Sequence, residues 1–127
     1  MSELRANTIS DAAGTGPATL TGQSAAKAWA NFRGNSTVII RESFSVSSVS
    51  DNGTGDYTLN FSTSFVDADY VATIGVRRAA GSSDINANLG GHNSVDPATS
   101  SIRLICRFTN TPGGSVDPSH GWVSFFR

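Results

Sequence analysis

Tyr57-Thr58-Leu59-Asn60-Phe61-Ser62 alternates large apolar and small polar side chains without a break, the period of a half-buried β-strand. Upstream, Val38, Ile40, Glu42, Phe44 and Val46 lie at the same period. Between the two runs, Ser50-Asp51-Asn52-Gly53-Thr54-Gly55-Asp56 supplies Asn-Gly, which favours positive φ and reads as a hairpin connection. Downstream, Tyr70, Ala72, Ile74 and Val76 form the next strand. Ile102, Leu104, Cys106 and Phe108 then share one face, with Arg103, Ile105 and Arg107 on the other, and Gly121 to Phe126 forms the last strand. No segment carries secure helical periodicity. The expected fold is all-β, an antiparallel β-sandwich or small barrel of about five to eight strands.

Ser24 to Phe32 fits two readings. Ser24 could cap a short helix with Trp29 and Phe32 on one face, or the residues could alternate as a strand; the strand is favoured here. Composition also changes near this point. All eleven aromatic residues lie between Trp29 and Arg127, and the first 28 residues hold only Leu4, Ile9 and Leu20 from the large aliphatic set. Residues 1–23, rich in Ala, Gly, Thr and Ser, cannot form a core and read as either a disordered segment or, as favoured here, an extended N-terminal arm that docks on another subunit or protein. Residues 24–127 make the β-domain.

The chain has 127 residues, a net charge of −1 and only 15% charged residues, below the roughly 25% usual in soluble domains. Polarity comes from 19 Ser, 12 Thr, 9 Asn and 13 Gly. Leu, Ile, Val and Phe number 28, a thin core for one domain and too little for two. Three stretches, Val38-Ile39-Ile40, Ile102 to Phe108 and Trp122 to Phe126, place apolar groups on both strand faces. A solvated sheet face is usually polar, so a subunit contact is expected there. The bland alternative is a central strand under loop cover.

Several function classes drop out. No run of 18 apolar residues exists, so no membrane insertion is expected. The basic residues are scattered, which gives no footprint for nucleic acid. The lone Cys106 excludes an intrachain disulfide and a multi-cysteine zinc site, and its alternation with Leu104 and Phe108 reads as a buried thiol. His92 and His120 lie outside any recognisable catalytic context, and no glycine pattern cradles phosphate. No catalytic residue, metal or cofactor is assigned. The long segment from Arg77 to Ser101 is the candidate ligand-binding tip, with Arg77, Arg78, Asp84, Asn86, His92 and Asn93; His120 joins it from the loop before the last strand. Short amides and Gly allow adaptable hydrogen bonds, and Arg adds charge and planar contact. A solvated loop or a short extra hairpin through Ile85 to Leu89 explains the same residues equally well.

One stretch carries a family resemblance. Ala26-Lys27-Ala28-Trp29-Ala30-Asn31-Phe32-Arg33-Gly34 is followed by Val38 to Val49, with Glu42-Ser43-Phe44-Ser45-Val46-Ser47-Ser48. Asp51-Asn52-Gly53-Thr54-Gly55-Asp56-Tyr57-Thr58-Leu59-Asn60-Phe61 and Asp67-Ala68-Asp69-Tyr70-Val71 complete the string. Residues 1–71 resemble a module of bacteriophage virion proteins, especially the distal domains of tail or head fibres; Arg33 stands where that module favours a small polar residue. The resemblance implies a β-rich, homotrimeric component of the particle surface. On that basis the arm would contact other virion proteins, and the 77–101 and 110–121 loops would meet a host surface glycan or protein. The alternative is a capsid-decorating or tail-adaptor protein that contacts only virion components.

Overall fold

The alternating segments pair into two antiparallel sheets in a computed structural model, which describes residues 12–14, 24–78, 87–109 and 114–127. The arm expected over 1–23 falls almost wholly outside the described residues. Eight strands follow in order: β1 (Ala28–Arg33), β2 (Ile39–Phe44), β3 (Val46–Gly53), β4 (Asp56–Phe61), β5 (Val71–Arg77), β6 (Ala87–Gly91), β7 (Ser101–Phe108) and β8 (His120–Phe126). One sheet has the order β2-β1-β8-β5 and the other β3-β4-β7-β6. Each is covered on one face by its partner, the arrangement of a β-sandwich. The ambiguous Ser24–Phe32 segment is strand from Ala28 onward.

The core fills the space between the sheets by strict alternation. β1 contributes Ala28, Ala30 and Phe32; β4 contributes Tyr57, Leu59 and Phe61; β7 contributes Ile102, Leu104 and Cys106; β8 contributes Val123 and Phe125. Small β1 residues leave room for large ones opposite. At one end Phe61 meets Phe65, Tyr70 and Phe125 edge to face, with Phe61 and Phe125 centroids 5.0 Å apart at 79°, a favourable quadrupolar arrangement. Cys106 is the expected buried free thiol, and burial pushes its pKa up to about 11.

Residues 38–46 need a correction, because they do not present one continuous face. Asn31 pairs with Glu42 but Phe32 pairs with Ile40, so Arg41 is an extra, bulged residue that reverses the side-chain alternation. Ile40 packs on the core while Glu42 and Phe44 face outward. Ser45, at φ 53, then turns the chain from the first sheet to the second, and Val46 is buried. The hairpin is also longer than its sequence suggests. β3 runs to Gly53, which pairs with Asp56 across Thr54-Gly55. The Asn52 amide holds this extension by donating to Thr58 Oγ1 at 2.8 Å.

Residues 114–119 close the other end of the sandwich. Gly34 and Asn35 both donate to the Pro118 carbonyl at 2.9 Å, Val116 donates to Cys106 O, and Phe108 donates to Gly114 O. Asp117 Oδ1 accepts from the Gly55 amide at 2.7 Å and the Tyr57 hydroxyl at 2.6 Å. This strap therefore ties the β1–β2 turn, the β3–β4 hairpin and the end of β7 together. The expectation of an outward loop over 110–121 fails for this part: Pro118 is fully buried.

Candidate functional site: the outer face of the first sheet

The two outer faces differ in kind. On the β3-β4-β7-β6 sheet the outward groups bond one another: Asn60 Nδ2 donates to Ser48 Oγ at 2.9 Å, and Asp56 takes a bidentate pair from Arg103 at 2.8 and 2.6 Å. Ile105 stands between Arg103 and Arg107 as this face's apolar member on β7. Such a face is at ease in water.

The β2-β1-β8-β5 face is not. Its outward positions include Trp29 (37% exposed) and Trp122 (42%) on the two central strands, with Phe44 (54%) and Ile39 on edge strand β2 and Val71 on edge strand β5. Among the described residues, every exposed large hydrophobic that lies in a strand belongs to this sheet. Register arranges them: Trp29 lies opposite Phe44 on one side and Ser124 on the other, while Trp122 lies between Asn31 and Gly75. The two indoles are thus diagonal neighbours on adjacent central strands. Between them runs a groove of about 470 Å³ whose floor includes Asn31, Thr73, Gly75 and Ser124. Gly75 matters sterically. A Cβ there would sit 3.4 Å from Trp122 Cε3, so alanine fits, but the extra methyls of valine meet the indole. The Gly75→Val variant is expected to fold with stability within about 1 kcal/mol of the parent while shifting tryptophan emission; unchanged emission would contradict this placement of the indole.

Polar groups complete the groove. The Asn31 side-chain oxygen is shielded from solvent and has no hydrogen-bond partner among the described residues, a state that costs about 1–3 kcal/mol. Beyond Trp122 the face becomes cationic. His120 stacks near Trp122 with centroids 5.4 Å apart and lies opposite Arg77. Arg41 donates to the Ser119 carbonyl at 3.3 Å, and Arg33 shares the face of Trp29 by alternation. Partial burial, then the charges of Arg41 and Arg77, lower the His120 pKa, so its imidazole is neutral at pH 7.

The sequence-assigned residues divide between the two sheets. Arg77 and His120 are cross-strand partners beside the groove. Arg78 follows them, with its carbonyl accepting from Ser119 Oγ at 2.7 Å and its guanidinium 4.9 Å from the Phe108 ring centre. His92 and Asn93 belong to the other sheet, just past β6. His92 Nδ1 accepts from the Ser94 amide at 3.2 Å, which leaves Nε2 facing Asp56 Oδ2 at 4.0 Å. Asn93 lines a separate shallow hollow with Asn88, Gly90 and Arg107. Asp84 and Asn86 lie outside the described residues. The 77–101 segment, which the sequence offers as a loop or as an extra hairpin through Ile85 to Leu89, contains β6 (Ala87–Gly91) paired with β7, and residues 79–86 lie outside the described residues. Trp29, Asn31, Thr73 and Ser124 were not singled out as ligand groups; the only signal was apolar character on both faces of the last strand.

The Asp56–Arg103 pair carries a pH prediction. The hydrogen bonds from Arg103 hold the Asp56 carboxyl below its ordinary value. Its stabilisation is therefore present above the unfolded carboxylate value of about 4 and is lost as pH falls through the lower folded value. Urea midpoints should decline below about pH 4, and Arg103→Gln should flatten part of that decline. Parallel curves for parent and variant would show that the pair contributes nothing.

Comparison with protein-family models, with curated proteins and with solved structures finds no match.

Proposed function

We propose that this chain is a non-enzymatic surface protein of a bacteriophage particle, a fibre or knob that attaches the virion to its host and works as a homotrimer. The observation that carries the reading is the contrast between the two outer faces: one satisfied in water, the other presenting Trp29, Phe44 and Trp122 beside a cluster of arginines. A face of this composition is built to touch something. The module resemblance over residues 1–71 supplies the setting. A ring of subunits needs two different complementary patches, and the sheet edges offer them in Ile39 with Phe44 on β2 and Val71 on β5. Three copies then multiply a weak contact by avidity.

Antibody labelling of intact particles tests the location, and light scattering tests the assembly. The expected results are labelled particles and a mass three times the 13.2 kDa chain. Purified protein should bind host cells and block particle adsorption. Unlabelled particles overturn the reading. Protein that ignores cells but coats particles makes it a decorating protein, and a 13.2 kDa monomer removes the trimer.

A further inference from the structure

We infer that the groove between Trp29 and Trp122 binds an acidic polysaccharide, with sugar rings against the indoles and anionic substituents at the neighbouring arginines. This deepens the attachment reading and rests on it for its biological setting, though the binding itself does not depend on it. Shape is the first support. The two indoles, diagonal neighbours on β1 and β8, both line the groove, so a ring-shaped molecule seated there meets aromatic surface. Pyranose rings suit such a slot because their axial C–H groups meet the negative aromatic face while their hydroxyls point outward.

Those hydroxyls find partners. Thr73 and Ser124 lie side by side on the floor, each with a hydroxyl that can donate or accept. Charge then selects among sugars. Arg77 and the nearby Arg41, with Arg33 on the same face, make no ion pair with a carboxylate among the described residues. Glu42 lies across from Asn31, on the side of the face away from β5. His120 lies two residues beyond Trp122 along β8, about 6.6–6.8 Å. An anionic substituent one step from the stacked ring thus reaches the arginines. A second copy of the chain is a poorer occupant, since it brings its own arginines to the same contact. Nucleic acid is also poorer, because it needs a cationic track along its backbone where this face gathers its charge at one end.

The test has a built-in reporter: the chain contains two tryptophans, and both flank the groove. Full-length protein is titrated with hexagalacturonate, polysialate and a sulfated oligosaccharide, beside fully methyl-esterified hexagalacturonate and a thymidine oligonucleotide. At least one acidic glycan is expected to change tryptophan emission and bind. The hexagalacturonate methyl ester should bind no more than weakly, and Arg77→Gln should lose about two- to fivefold in affinity for the acidic glycan, the worth of one exposed charged contact. Trp122→Ala should abolish binding with mass unchanged. Arg77→Gln carries no core packing, so it keeps the test valid if the tryptophan variant fails to fold. Binding of none of the acidic glycans overturns the inference. So does equal binding of the ester or tighter binding of the oligonucleotide. A mass that falls on Trp122→Ala without ligand identifies the occupant as a second copy and also overturns it. Protein that adsorbs to cells but ignores every glycan removes this inference alone; glycan binding by a protein absent from particles removes the attachment reading alone.

Discussion

Asp117→Ala is expected to destabilise the domain by about 3–4 kcal/mol, a large share of a total of about 5–15 kcal/mol. Its carboxylate accepts two short hydrogen bonds, from the Tyr57 hydroxyl at 2.6 Å and the Gly55 amide at 2.7 Å, and bonds to a charged acceptor contribute about 1.5–3 kcal/mol each. Tyr57 is fully buried, and its burial, then Asp117 itself, raise its pKa so that the hydroxyl always donates. Removing the acceptor leaves that donor without a partner in the interior. Tyr57→Phe removes donor and demand together while Asp117 keeps the Gly55 amide, so its cost should be about 1.5 kcal/mol. Urea unfolding curves decide the matter. A loss under 1 kcal/mol for the alanine variant, or a larger loss for the phenylalanine variant, would show that the strap is not held through this carboxylate.

Gly55→Ala is expected to cost at least as much, for a different reason. Gly55 sits at φ +69, where a side chain costs about 1 kcal/mol. Space is the greater obstacle. An added Cβ would lie 2.5 Å from the Cys106 carbonyl oxygen and 2.9 Å from the Val116 amide nitrogen, backbone atoms that cannot turn aside. Yielding would also break the bond from the Cys106 amide to the Gly55 carbonyl at 2.6 Å. Together these effects should approach about 4 kcal/mol. Gly55→Asn separates them: asparagine tolerates the left-handed conformation but brings the same Cβ. Equal damage from both variants confirms that space is limiting, whereas rescue by asparagine would assign the cost to conformation.

Much of the fold was legible because strands with one buried face write their period directly. β4 and β7 alternate so cleanly that their inward residues follow from position alone. The two irregularities were not legible. Arg41 as a bulge and Ser45 as a sheet-crossing corner are set by what lies opposite in the folded sheet, and without them Glu42 and Phe44 are assigned to the wrong face. The site was less legible still. Trp29 and Trp122 belong to strands at opposite ends of the domain sequence and meet only because β1 and β8 are neighbours. Arg77 and His120 were singled out for their chemistry, but their contact is a fact of register. His92 was grouped with them by loop composition, whereas pairing of β6 with β7 puts it on the other sheet.

The pairing of β1 with β8 also sets an order of assembly. During synthesis β1 can pair with β2, yet both β1 and β5 must wait for the last strand, which fits between them. The partner sheet is complete in sequence once β7 has been made. A chain halted before His120 therefore keeps two open strand edges and lacks Trp122, so it is prone to aggregate and cannot carry the groove. The face that carries both indoles therefore exists only in chains completed through the final strand, and truncation removes it whole instead of weakening it.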